Sequence, residues 1–288
     1  GHEIEESIIV RRRNRFLRGV LEIQESTDMP VSDPGAVVAL GSGEANTIDL
    51  KIPCPRRGIF SLGPLRVSAS DAFGLFRVGR QVGEPCQVIV HPETRDLHGF
   101  EALPADLPGE GARYFRSPNV TTSAFGIRDY VVGDSLNRLS WGSTAHHNRL
   151  MVKEFEVEPA NSTWLLLDME RRAHSSSGDD GTEETSITVA ASICKYYVDL
   201  NFPVGFMAHG NERFIIPAQR GSGQLLRILD ALATLRASGS TALLDLLADL
   251  RTRAGRYTSV AIVTASMRPD WVDGIRYLLE SKIRVTAV

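Results

Sequence analysis

At 288 residues, 42% hydrophobic and 23% charged, the chain has an ordinary globular composition and room for about two domains at roughly 150 residues each. A net charge of −3 gives no general electrostatic case for nucleic acid or anionic lipid as partner. Cys54, Cys86 and Cys194 are too far apart for a Cys-x-x-Cys clip and read as reduced thiols, and no apolar run reaches the ~18 residues needed to cross a bilayer.

The first ~95 residues alternate apolar and polar positions between turn residues, the signature of strands. Segments 7–10, 19–23, 37–40, 46–52, 58–61, 65–69 and 87–90 are the predicted strands, with Asp33-Pro34-Gly35, Gly41-Ser42-Gly43 and Gly63-Pro64 as turns between some of them. No helical period interrupts them, which fits an antiparallel β-sandwich or barrel over 1–95. The Phe73, Leu75 and Phe76 group after Asp71 reads as core or domain interface. Arg11-Arg12-Arg13-Asn14-Arg15 is the one basic cluster. It is short and lacks an accompanying aromatic row, which argues against nucleic acid. It reads either as a strand edge guarded by charge or as a segment facing anionic lipid.

Residues 96–158 form a connector and then a dense polar segment. Asp134 suits a helix N-cap, with Leu136 and Leu139 one turn apart behind it, and Arg128 and Arg138 have carboxylates within reach for pairing. His146 and His147 are adjacent and face different directions on a helix, so they make a poor metal pair.

From 159 to 288 the period changes. The run 162–167 is continuously apolar and ends at Asp168, as a buried parallel strand does. A helix over 183–200 carries Ile187, Ala190, Ala191, Cys194 and Tyr197 on one face. Strands at 204–208 and 213–217, helices at 225–235 and 242–250, and a strand, helix and strand at 259–264, 271–279 and 283–288 follow. This alternation calls for a mostly parallel sheet with helices on both faces, a Rossmann-like layout. The chain stops on an apolar strand, so this α/β unit reads as C-terminally truncated.

Gly126-x-Arg128-x-Tyr130-x-x-Gly133-Asp134, followed by Arg138, Trp141, Ala145 and Val152-Lys153-Glu154-Phe155-Glu156, resembles the signature of the bacterial domain of unknown function 58 family. Arg57-Gly58, Leu62-Gly63-Pro64 and the stretch from Asp71 to Phe76 resemble the β-rich region that precedes it there. His146 departs from the family's usual arginine. The resemblance implies a von Willebrand factor type A-like second domain, no defined enzymatic activity, and membrane helices elsewhere in the full-length protein. It also implies a MoxR-type AAA+ ATPase as partner, at the cytoplasmic face of the inner membrane. Because Gly126, Arg128, Tyr130, Gly133, Asp134, Arg138 and Trp141 lie between the β-rich region and the type A-like sheet, they are expected to form an interdomain clasp.

Type A domains commonly hold Mg²⁺ through Asp-x-Ser-x-Ser, a Thr and a second Asp. Here Asp168 stands at the first position, Glu170 and Arg172 replace the serines, and Thr241 matches the threonine. No acid follows the strand at 260–263, where Thr264-Ala265-Ser266 stands instead. The expectation is a degenerate site at Asp168, Glu170 and Thr241, with Asp168 paired to Arg171 or Arg172 and no cofactor. The alternative is an unorthodox Mg²⁺-dependent adhesion module. Ser175 to Glu184 reads as a solvated loop, and Gly221-Ser222-Gly223 as a turn into a helix without a phosphate-loop Lys. No catalytic set is present, so the chain reads as a non-enzymatic protein-binding or scaffold component.

Overall fold

The structure, a computed structural model, describes residues 3–11, 20–39, 45–70, 75–100, 124–130, 139–147, 149–155, 162–175, 181–254, 258–281 and 283–288. It is a mixed α/β protein. Its first half holds strands β1 (Glu3–Arg11), β2 (Val20–Thr27), β3 (Gly35–Ala39), β4 (Ala45–Pro53), β5 (Gly58–Ser70), β6 (Arg77–Val82) and β7 (Cys86–Val90).

All pairings in this half are antiparallel. β1 pairs with β4, and a second sheet runs β3-β2-β5-β6 with β7 on the first part of β5. Strict alternation along β1 turns Ile4, Glu6, Ile8 and Val10 to the more buried side. Ile4 then packs with Ile52, Leu62, Phe60, Val88 and Val90, so the β1–β4 ladder meets the β5–β7 ladder through a small apolar cluster.

Segments 58–61 and 65–69, expected as two strands across a Gly63-Pro64 turn, are one strand. Gly63 adopts φ of 90°, open to a residue without a Cβ, and the β2 register shifts between Glu25 and Thr27 opposite it. The dipeptide is therefore a kink. Residues 58–62 pair β7 before it, and residues 65–70 pair β6 after it. Leu75 and Phe76 are a second correction, since both stand about three-quarters exposed, at 77% and 75%. They lie just before the outer strand β6; Phe73 and the basic run beyond Arg11 lie outside the described residues.

Three elements follow: β8 (Ala124–Asp129), α1 (Trp141–His147) and β9 (Met151–Phe155), with β8 antiparallel to β9. The α/β half comprises β10 (Thr163–Leu167), α2 (Thr182–Asp199), β11 (Val204–His209), β12 (Arg213–Gln219), α3 (Ser222–Thr234), α4 (Leu243–Arg253), β13 (Ser259–Val263), α5 (Asp270–Glu280) and β14 (Arg284–Ala287). The sheet order is β12-β11-β10-β13-β14, parallel except for β12, which turns back from β11 as a hairpin at the edge.

The central strands are uniformly apolar because both faces are covered. Leu165, Leu167, Phe206, Ala208 and Val263 pack under α2 and α3. Trp164, Leu166, Met207, Val260 and Ile262 pack under α4 and α5. Each fully buried Leu or Phe here contributes about 1.5–3 kcal/mol. Ile187, Ala190, Ala191, Cys194 and Tyr197 form the buried face of α2, as their spacing predicts. Burial pushes the Cys194 thiol up to about 12, and all three cysteines are free thiols.

The β-rich half rests on α2 and α3. His91 Nε2 meets Asp230 Oδ1 of α3 at 2.8 Å, the Arg95 amide donates to Ser192 Oγ at 2.9 Å, and Tyr196 Oη donates to the Phe100 carbonyl at 2.9 Å. Arg57, in the link from β4 to β5, reaches further in. Its side chain is 2% exposed and lies between the first turn of α2 and the last turn of α3.

Candidate functional site

The carboxyl ends of β10, β11 and β13 lie side by side, and in open α/β sheets this is where ligands bind. The Asp168 amide continues the ladder by donating to the Val263 carbonyl at 2.9 Å, which brings Asp168 beside Thr264. Asp168 is buried, and both its oxygens have protein donors. Thr264 Oγ1 donates to Oδ2 at 2.7 Å, and the Glu170 amide donates to Oδ1 at 3.1 Å. The Thr264 hydroxyl also accepts the Ser266 amide, which fixes its direction. His174 Nε2 donates to the Asp168 main-chain carbonyl at 2.9 Å, since a carbonyl can only accept.

The Glu170 carboxylate is buried too and meets Arg268 Nη2 at 2.6 Å. A guanidinium thus supplies the positive charge beside this buried carboxylate. Asp168 meets neither Arg171 nor Arg172. Those two side chains point to solvent, because the tight turn after Glu170, closed by the Ala173 amide on the Glu170 carbonyl, carries them away from the sheet. The expected pairing is corrected accordingly: Thr264 takes the place of the arginine.

Thr241 lies on the loop between α3 and α4, which is stitched over the sheet edge. The Arg171 amide donates to the Gly239 carbonyl and the Gly239 amide to the Met169 carbonyl, at 2.9 and 3.1 Å. A Cβ on Gly239 would lie 2.2 Å from the His209 carbonyl oxygen, so this approach is open only to glycine. Next to it, Arg213 Nε donates to His209 Nε2, and Arg213 also pairs with Asp249 of α4. Burial, with Arg213 beside it, holds the His209 imidazole below its ordinary value.

Mg²⁺ demands near-octahedral oxygen ligands with free lone pairs. The Asp168 oxygens take a hydroxyl and an amide, Glu170 takes Arg268, and among the described residues no group of three or more His, Cys, Asp or Glu could hold a metal ion. The described carboxylates are thus held by protein donors and are not grouped as a metal cluster.

The described part of the motif segment is built on the β8–β9 ladder. Gly126 and Arg128 are in β8, where the Arg128 backbone pairs with Val152. Tyr130 donates its amide to the Leu150 carbonyl, and Arg149 pairs with Asp129. Trp141 opens α1 with 69% of its surface exposed. Leu139, expected within a helix started by Asp134, bridges Val152 as extended chain; Gly133, Asp134 and Arg138 lie outside the described residues. His147 Nδ1 bonds within α1, to the Ser143 carbonyl. Among the described residues, contacts between the two halves include those of Arg57, His91, Arg95 and Phe100, and most side chains of the expected clasp lie outside the described residues.

Thr264, Arg268, His174 and Arg57 were not singled out as site residues. Thr264 reads in sequence only as a missing acid, and Arg57 carries no spacing that links it to α2 or α3, more than 120 positions away. Their roles come from contacts distant in sequence.

The sequence model of the family described as "Protein of unknown function DUF58" matches residues 126–288, more than half of the chain. The chain belongs to the DUF58 family. It is 31% identical over 110 residues to the uncharacterized protein YeaD of Bacillus subtilis (strain 168), a match spanning 38% of this DUF58 chain and 26% of that relative. Two solved structures resemble it. The crystal structure of conserved hypothetical protein BatB from Bacteroides thetaiotaomicron is 14% identical with a TM-score of 0.34, over 44% of this chain and 65% of that one. The SpRpn10 VWA domain is 12% identical with a TM-score of 0.33, over 44% and 73%. No helix among the described residues is long and apolar enough to cross a membrane.

Proposed function

We propose that this DUF58 protein is a non-enzymatic protein-binding or scaffold component. In this reading it works with a MoxR-type AAA+ ATPase in a membrane-associated system, with any membrane attachment lying outside residues 1–288. One observation carries the binding reading. The two carboxylates at the sheet's carboxyl edge have internal partners, the Thr264 hydroxyl and the Arg268 guanidinium, while the loops around them turn Arg171, Arg172 and Met267 outward, the last 98% exposed. A surface whose acids already have partners is suited to recognition, since a general acid or base must have a free position for the reacting proton. The ATPase and the cytoplasmic face of the inner membrane are supported by the family resemblance.

The test is capture of the ATPase by the full-length protein from membranes in apo, ADP and ATP states. The Arg171→Glu/Arg172→Glu/Met267→Glu variant is expected to lose about tenfold in affinity by reversing charge at the rim, and chelation with EDTA to change nothing. Failure of capture in every nucleotide state overturns the ATPase assignment. Capture that EDTA abolishes and Mg²⁺ restores would replace this reading with the metal-dependent adhesion one.

A further inference from the structure

Arg57 lies in the β-rich half, yet its guanidinium reaches into the α/β half. Nε donates to the Leu232 carbonyl at 3.0 Å and Nη2 to the Leu235 carbonyl at 2.7 Å, both at the end of α3, where the last turn leaves carbonyls without helical partners. Nη2 also meets Glu183 at 3.0 Å and Nη1 pairs with Glu184, both in the first turn of α2. One planar fork therefore caps the carboxyl end of one helix and pairs with acids at the amino end of another.

Those two helix ends are where the loops of the candidate site attach. Leu235 begins the loop that carries Arg236, Gly239 and Thr241, and the Arg236 amide donates to Asn211 Oδ1 at the end of the β11–β12 hairpin. Thr182, next to Glu183, bonds His174 Nδ1 at 3.3 Å, and the same imidazole holds the Asp168 carbonyl. The loops are then joined to each other by the Gly239–Met169 and Arg171–Gly239 bonds.

We infer that Arg57 is a latch through which docking of the β-rich half sets the order of the Asp168–Ser175 and Leu235–Thr241 loops, so that the loop surface is formed only when the two halves are engaged. The latch is intramolecular and stands whichever partner the surface takes. Lysine could not replace it, because an ammonium is a point charge and cannot serve two carbonyls and two carboxylates with one planar fork.

Amide hydrogen exchange on the full 288-residue chain tests this, comparing the unsubstituted protein with Arg57→Met and with Glu183→Gln/Glu184→Gln, which alters only the half-exposed side of the contact. The Arg171, Arg236 and Gly239 amides are the reporters. Both variants are expected to exchange about tenfold faster at these amides, with β10, β11 and β13 unchanged, as local opening without global unfolding requires. Unchanged reporters in a folded variant overturn the latch. So does acceleration spread evenly over the sheet, which would make Arg57 a contributor to overall stability alone. Should Arg57→Met fail to fold, the double glutamine variant decides between these outcomes by itself.

Discussion

The Thr264 hydroxyl is the smallest group on which the sheet-edge site depends. It donates to Asp168 Oδ2, and Asp168 is buried with no described arginine beside that oxygen. Thr264→Val keeps the shape and removes the donor, which leaves a buried carboxylate oxygen unsatisfied. The expected result is a loss of about 1–3 kcal/mol in denaturant unfolding, the usual cost of an orphaned buried polar atom. A variant as stable as the parent would show that water reaches Asp168. Asp168 itself was legible in the sequence, since an acid ending a continuous apolar strand has few other places to be. Its partner was not. Thr264 is 96 positions away and becomes a neighbour only because β10 and β13 pair in register, Leu167 opposite Val263.

Elements were largely legible where a period was long. β10, α2, β11, β12, β13 and α5 appear where the apolar pattern puts them, because a strand covered on both faces and a helix covered on one each leave a distinct repeat. Gly63-Pro64 was misread as a turn, since the same dipeptide that ends a strand can kink a continuous one when pairing on both sides outweighs it. The α3–α4 loop shows the same limit. Its Gly239 looks like ordinary loop composition, and only the close approach to the His209 and Met169 carbonyls makes it irreplaceable. Gly239→Ala is expected to separate the loop from the sheet edge and lower stability by about 2 kcal/mol or more, through backbone displacement. Thermal unfolding checks this, and an unchanged midpoint would mean that the loop shifts freely.

At the scale of the whole molecule the two halves differ in how they are held. The α/β half has two continuous apolar clusters and partnered buried acids, whereas the β-rich half has a small cluster and the buried acid Glu25. Glu25 on β2 is buried, and its Oε2 has no hydrogen-bond partner among the described residues. Burial, with Glu6 of β1 beside it, pushes its carboxyl up from 4.5 to about 7, against the pull of the Gly63 amide. Between those two values the folded chain holds a proton that the unfolded chain has released. The Glu25 contribution is therefore full at acid pH, falls as pH rises through about 7, and stays lost above it. Compared with Glu25→Gln, the parent is expected to lose melting temperature between pH 5 and pH 8, the variant having no such loss from this position. Parallel pH profiles for the two would place Glu25 in contact with water.

The chain's own residues determined the order of the two halves, the strand and helix alternation of the second, and the absence of an acid after β13, because each is written in local spacing and composition. Tertiary structure alone decided which groups meet Asp168 and Glu170, and that Arg57 joins the β-rich half to helices α2 and α3. The reason is physical. Periodicity records which face of an element is buried, whereas a charge or a hydroxyl finds its partner through strand pairing and helix docking between residues about a hundred or more positions apart.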